Sequence, residues 1–222
     1  MQQTTFFLKI ISIFILKFFC IAGLGQGIAS YVGANNSYFY FNESKYSDVS
    51  TIYIPMVEGC MGVFVDQSKT KAKIPSFSIQ YDGSEGFIYV QSGSEHTEAF
   101  YEKTSLAFGV YLISKNFWKN FNYHAGAEIA LLLEERFEGR RRNDSGGYDS
   151  ISELNDAFNN PFNYFLKNQI SYDFYVTERI AFRLHYAFLF GLNNEFEIEP
   201  DITKSLKHFL CVDLKYDLNM IK

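Results

Sequence analysis

From Phe162 to Leu192, apolar and polar positions alternate twice in succession. In the first run Tyr164, Leu166, Ile170, Tyr172, Phe174 and Val176 alternate with Asn163, Lys167, Gln169, Ser171 and Asp173, while Phe165, Asn168 and Tyr175 break the pattern. In the second, Ile180, Phe182, Leu184, Tyr186, Phe188 and Phe190 alternate with Ala181, Arg183, His185, Ala187 and Gly191, with Leu189 out of step. A period of two is that of a strand with one apolar face. Each run has about the ten residues that a tilted strand needs to cross a bilayer. Only Thr177-Glu178-Arg179 turns the chain between them, so the stretch reads as a membrane hairpin. If Val176 and Ile180 share the apolar face, the turn pairs them, and Asp173 then lies opposite Arg183 and Ser171 opposite His185.

Six further segments carry strand patterns. Ser30 to Phe41 reads as a first strand with poorly distinguished faces. In Ile54 to Val65, Val57, Met61, Val63 and Val65 oppose Glu58, Cys60 and Gly62. A third strand, Ser76 to Tyr81, continues to Val90 if it kinks at its glycines. The fourth, Tyr101 to Ile113, sets Leu106, Phe108, Val110 and Leu112 against Ser105, Ala107 and Gly109. In the fifth, Phe121 to Leu133, Tyr123, Ala125, Ala127, Ile129 and Leu131 alternate with Asn122, His124, Gly126 and Glu128. The hairpin supplies the sixth and seventh, and Leu210 to Leu218 the eighth.

Long connections at 42–53, 82–98, 135–160 and 193–204 alternate with short ones at 66–73, 114–120 and 177–179. Membrane barrels have that asymmetry. The four prolines, at 55, 75, 161 and 200, fall at expected strand starts or loops, where a missing amide hydrogen removes no ladder bond. The expected fold is therefore all-β, an eight-stranded antiparallel up-and-down transmembrane barrel. A soluble, lipocalin-like carrier has the same periodicity with the apolar face inward. Bulk chooses between the two, because eight strands enclose only enough space for side chains to fill it. Phe, Tyr and Leu at alternate positions overfill that space, whereas small and polar residues with a few charges suit it.

Composition sharpens this picture at three points. Residues 1–25 carry an apolar run interrupted by Lys9 and Lys17 and end in small residues, which reads as a signal peptide. That leaves 26–222 as the barrel and the cell outer membrane as its place. Aromatic residues make up 18% of the chain, a share that a lipid-facing surface with aromatic girdles absorbs. The net charge of -5 gives no footprint for nucleic acid, and beyond the signal only Cys60 and Cys211 remain, too few for a disulfide framework.

The polar face of such a barrel gathers Glu58, Gln80, His124, Glu128, Lys167, Asp173, Arg183, His185, Asp213, Lys215 and Asp217 in a confined interior, where charges must pair. His124 and Glu128 share a strand face, the kind of pair that activates a serine or water in an enzyme acting on lipid or peptide. No motif ties a serine to them, so the expectation is a structural polar network and no catalysis. The four histidines lack metal-ligand spacing, and no cofactor is expected. Arg140, Arg141 and Arg142 fall in the longest connection, as candidates for an extracellular contact with lipopolysaccharide phosphates or an acidic partner. The expected partners are outer-membrane lipid and other envelope proteins.

Several of these stretches, in this order, resemble the PorT-like outer-membrane β-barrel proteins of Bacteroidota. Val57-Glu58-Gly59-Cys60-Met61-Gly62-Val63-Phe64 is similar to that family's second strand, and Ala125-Gly126-Ala127-Glu128-Ile129 to its glycine-then-glutamate strand. Arg179 to Tyr186, with Gly191-Leu192-Asn193, resembles its penultimate strand and following loop. The chain departs from the usual barrel ending, since it runs on through Asn219-Met220-Ile221-Lys222 past the last aromatic residue. The resemblance implies an eight-stranded barrel in the outer membrane; that family's members do varied jobs, roles in secretion and gliding machinery among them, and the expected role is a structural or partner-binding one in the envelope.

Overall fold

The computed structural model describes residues 27–41, 49–67, 75–92, 95–118, 120–142, 147–154, 161–193 and 202–218; the expected signal segment 1–25 lies outside them. Ten strands account for most of these residues: β1 (Gly27–Phe41), β2 (Val49–Pro55), β3 (Val57–Asp66), β4 (Ser76–Ser92), β5 (Glu95–Trp118), β6 (Phe121–Arg142), β7 (Tyr148–Leu154), β8 (Phe162–Tyr175), β9 (Ile180–Gly191) and β10 (Ile202–Asp217). Antiparallel pairing runs β1–β3–β4–β5–β6–β8–β9–β10 and returns to β1, so the wall closes with eight staves. The two extra strands are continuations. β2 lies along the same edge of β4 as β3, one residue out of register across a break at Met56. β7 lies along the same edge of β6 as β8.

Following cross-strand partners once round the wall, from Ile28 through Val65, Phe77, Val110, Ala127, Leu166, Phe190 and Leu206, leads back to β1 at Tyr38, ten residues beyond the start. A stagger of ten over eight strands inclines the strands by roughly 40 to 45° and leaves an interior that side chains fill. The alternation then sorts the chain into two environments. Val32, Met61, Ile129, Leu166, Phe182, Leu184, Leu210, Val212 and Leu214 point outward and are each 45% or more exposed. The intervening positions are buried. On β8 the outward series runs from Tyr164 to Val176, which at this tilt covers roughly 30 Å along the axis, the height of a bilayer's hydrocarbon core.

Several sequence expectations change. Residues 82–98 form no long loop, because β4 runs to Ser92 and β5 begins at Glu95. Of the irregular stretch expected at 135–160, the described residues 135–142 end β6 and 148–154 form β7, so Arg140, Arg141 and Arg142 lie on a strand. β6 passes its last pairing with β8, Leu131 with Phe162, by eleven residues. Strands β2, β4, β5, β6 and β7 therefore stand well above the rest of the wall. The extension keeps a buried side at Ile88, Ala99 and Tyr101, whereas at the end of β6, from Arg136, and the start of β7 the described side chains are exposed or half-buried and give no alternation to read. Pro55 is not at a strand start; it ends β2, beside the break in its stave.

One close approach governs the fit of β5 to β6. Tyr111 stands opposite Gly126, and the register slips just beyond it, between Tyr111 and Ile113. A Cβ at position 126 would run into the Val110 carbonyl oxygen and meet Tyr111 Cα at 2.6 Å. Both are backbone atoms, so nothing nearby can swing aside. Gly126→Ala is expected to destabilise the barrel by about 2 kcal/mol or more, as overpacking against backbone does. Gly59→Ala, where a Cβ meets nothing within 4 Å, is expected to be near neutral. Urea unfolding of both variants in lipid vesicles checks the contrast.

Candidate functional site

Because each strand delivers every second side chain inward, the lumen is a column of residues from all eight staves. At the end nearest the β8–β9 turn, Arg183 donates from Nε to Asp173 Oδ1 at 2.6 Å and from Nη2 to Asp66 Oδ2 at 2.5 Å. Lys215 Nζ donates to the same two carboxylates, at 2.8 Å to Asp173 and 3.1 Å to Asp66. The direct pairing of Asp173 with Arg183 and of Ser171 with His185 is the register expected from the hairpin. Asp66, expected to begin a turn, is the residue missed. The inward series of β3, continued from Cys60 and Gly62 through Phe64, leads to it.

Further along the axis Lys167 Nζ donates to Glu128 Oε2 at 2.5 Å and to Gln80 Oε1 at 3.3 Å. Beyond that, Lys207 Nζ donates to Asp82 Oδ2 at 2.9 Å. Asp82 and Lys207 were also missed, because Asp82 began an expected loop and Lys207 fell between the expected loop at 193–204 and the strand expected from Leu210. The lumenal cations meet rings as well as carboxylates: Arg183 lies 5.5 Å from the Phe64 ring, Lys167 lies 5.6 Å from Tyr111 and 5.9 Å from Phe209, and Lys207 lies 5.3 Å from Phe165. An apolar ring can thus fill space beside a charge without leaving it unpaired. The interior holds more apolar bulk than the alternation implies, and part of it comes from residues that broke the pattern. Phe165, Leu189 and Leu132 are all buried.

His124 and Glu128 share the inward face but do not meet. His124 Nδ1 lies 2.9 Å from Ser114 Oγ, and the ring packs edge-on against Phe64 and Tyr111, while Glu128 pairs with Lys167. His185 Nδ1 lies 2.6 Å from Asp213 Oδ1, and Asp213 stands directly opposite Arg183 in the register of β10 and β9. Glu58 is absent from this network. It lies where β2 gives way to β3, half-buried, with its carboxylate against position 83 and beside that of Glu85. The one-residue slip at that break turns it out of the series that the alternation assigned to it.

Glu85 stands directly opposite Glu102. With Glu58 these residues end the lipid-facing belt on this side, above Tyr81 and Leu106. Burial, followed by the hydrogen bond and repulsion from Glu58, pushes the Glu85 carboxyl up to about 7. Higher still, Arg140 donates to Glu98 Oε2 from Nε at 3.0 Å and from Nη2 at 2.8 Å and lies 5.2 Å from the Tyr148 ring. Arg136 pairs with Glu138 at 2.5 Å. Arg141 and Arg142 are exposed.

On the lipid side, two polar residues are each satisfied by a tyrosine of the next stave. Tyr123 donates to Asn168 Oδ1 at 2.8 Å, and the Tyr186 hydroxyl meets His208 Nδ1. Both pairs are diagonal neighbours across the ladder, a separation that a long aromatic side chain can span. Among the described residues no helix is long and apolar enough to cross a membrane, so any crossing is made by strands.

No protein-family model and no curated protein sequence matches the chain. Among solved structures it is similar to Neisserial surface protein A (7% identity, TM-score 0.39), with 86% of this chain and 96% of that one covered. It is also similar to Ail, the attachment invasion locus protein of Yersinia pestis (8%, TM-score 0.40, 86% and 99% covered), and to the outer membrane protein OprG from Pseudomonas aeruginosa (8%, TM-score 0.42, 87% and 97% covered). At such scores no property passes from these proteins to this one.

Two predictions follow from the charges. Asp173→Ala and Arg183→Ala each leave buried partners of one sign in excess, so each is expected to cost about 3 to 5 kcal/mol. The double substitution is expected to cost clearly less than the sum, and additivity in a double-mutant cycle would mean that the two side chains do not interact. At the rim, a folded-state carboxyl raised to about 7 binds its proton more tightly than in the unfolded chain. Its contribution to stability is therefore full below the unfolded value and is lost as pH rises through 7. Glu85→Gln is expected to be neutral at pH 4 and stabilising by about 1 kcal/mol at pH 8, allowing for solvent screening. Urea titrations at the two pH values measure the difference.

Proposed function

We propose that this chain is an integral outer-membrane barrel with a structural or partner-binding role in an envelope or secretion assembly. The observation that carries this reading is the division of the molecule into a filled lumen, a greasy wall and a water-facing extension. A lumen whose cations are bound to its own carboxylates and packed against its own rings leaves an eight-stranded barrel no wide channel. A carrier of the lipocalin kind is disfavoured by the same facts, since its apolar residues would line the interior that here holds Arg183, Lys167, Lys207 and Lys215. The surface left for recognition is the extension, built from β2, β4, β5, β6 and β7, which carries Arg140, Arg141 and Arg142 on the side of the barrel opposite the short β8–β9 turn. The ordered resemblance to PorT-like barrels supports an envelope assembly as the setting. An enzymatic role has no comparable support, because His124, Glu128 and His185 are each engaged in the packing of the lumen.

The reading requires the extension to be outside the cell and the β8–β9 turn in the periplasm. Ser150→Cys, on exposed β7, is expected to react with a membrane-impermeant maleimide on intact cells. Glu178→Cys, in the turn, is expected to react only after lysis. The reverse order inverts the topology, and recovery of the chain in the soluble fraction, with no mobility difference between unheated and boiled samples, removes the membrane assignment altogether.

A further inference from the structure

Cys60 and Cys211 are 151 positions apart, on strands that do not pair with each other. β3 and β10 flank β1 on either side, and both cysteines stand opposite the same residue of it, Gly33. Both side chains enter the lumen, 5% and 1% exposed, and their sulfurs lie 3.5 Å apart. A Cβ at position 33 would come within 2.5 Å of Cys211 Sγ. Glycine there leaves one strand bare of any side chain that would hold the two thiols apart. The seam they straddle is the place where the first and last strands of the barrel meet.

We propose that Cys60 and Cys211 are a modification site, oxidised to an intramolecular disulfide that staples β10 to β3 across β1. One thiolate attacks a disulfide-bearing oxidant and forms a mixed disulfide with it. The second displaces the oxidant's thiol. The balance is two thiols converted to one S–S bond, with their two protons and two electrons passing to the oxidant's disulfide, which leaves as two thiols. The folded lumen seals both sulfurs, so the exchange takes place before the seam closes or when it opens. A flat sheet sets residues on either side of one strand about 9.6 Å apart, too far for a disulfide. The tight curvature of eight staves and the bare backbone at Gly33 bring the sulfurs into contact. The bond then shortens their separation by about 1.5 Å and draws β3 and β10 together over Gly33.

The test is made on the full chain carrying Cys20→Ser, which leaves Cys60 and Cys211 as its two thiols, refolded from urea into detergent micelles with oxidised glutathione or with excess reduced dithiothreitol, independently of where the protein resides in a cell. The oxidised sample is expected to run as a folded, heat-shifted monomer. After denaturation it should add no maleimide-polyethylene glycol, and it should weigh two hydrogens less than the reduced one. Its unfolding rate in urea is expected to be at least tenfold slower than that of the reduced form, a difference absent from Cys60→Ser and Cys211→Ser. The double variant, Cys60→Ala with Cys211→Ala, controls for folding without sulfur and is expected to behave like the reduced chain. Two maleimide adducts on the oxidised folded barrel, stable glutathione adducts, or an internal disulfide found only in chains that lack the heat shift would each overturn the proposal.

Discussion

Closure is the constraint on which the rest of this structure depends. A strand whose outer face meets hydrocarbon has no water to satisfy its amide and carbonyl groups, so every edge must be paired. Eight staves with a stagger of ten achieve this and at the same time fix the width of the space inside. That width cannot be adjusted to suit what alternation delivers inward, and the sequence must fill it instead. Arg183, Lys167, Lys207 and Lys215 enter because they are alternate residues of strands whose other face is apolar, and each must find a partner inside the column. The partners come from distant staves: Arg183 of β9 reaches Asp66 of β3, and Lys207 of β10 reaches Asp82 of β4. These interactions brace the barrel across its diameter, while the backbone ladder holds it around its circumference.

Such bracing has a mixed effect on stability. Bringing two charges out of water costs about as much as their attraction returns, so a buried pair is weak evidence for net stabilisation. Its stronger effect is on register. A slip of one residue would send Arg183 toward lipid and an apolar neighbour into the column, and a slip of two would keep it inside but separate it from Asp173, which it faces directly. The rings strengthen that choice, since Phe64, Tyr111, Phe165 and Phe209 fill volume that smaller inward residues leave and offer the cations a second favourable face.

The hairpin from Phe162 to Leu192 was legible because one face meets lipid and the other a packed interior, so each residue's chemistry reports its side. Even the exceptions were informative there. Phe165 and Leu189 are lumenal rings and branches that polar packing needs, and Asn168 is a lipid-side amide held by Tyr123. Above the belt this contrast vanishes. At the end of β6, from Arg136 to Arg142, and at Tyr148 to Ser150 the described side chains are exposed or half-buried on both sides of the strand, and a two-sided polar strand resembles a loop in sequence. Glu58 failed for a third reason. Its face follows from a one-residue slip at Met56, set by how β2 and β3 share the edge of β4, and no local pattern encodes that sharing.

The same division bears on where function resides. A residue that braces the lumen is constrained by partners on two or three staves, and altering it disturbs them all. The extension is held differently, by ladder bonds and by exposed pairs such as Arg136 with Glu138 and Arg140 with Glu98, which contribute little to stability. Its side chains can therefore change with small cost to the fold. Exposed charged side chains and a last strand, β7, that pairs only with β6 among the described residues leave it more surface for contact than the barrel needs to close. A barrel plugged along its axis and finished in lipid can meet other molecules of the envelope chiefly through the part of its wall that rises out of the membrane.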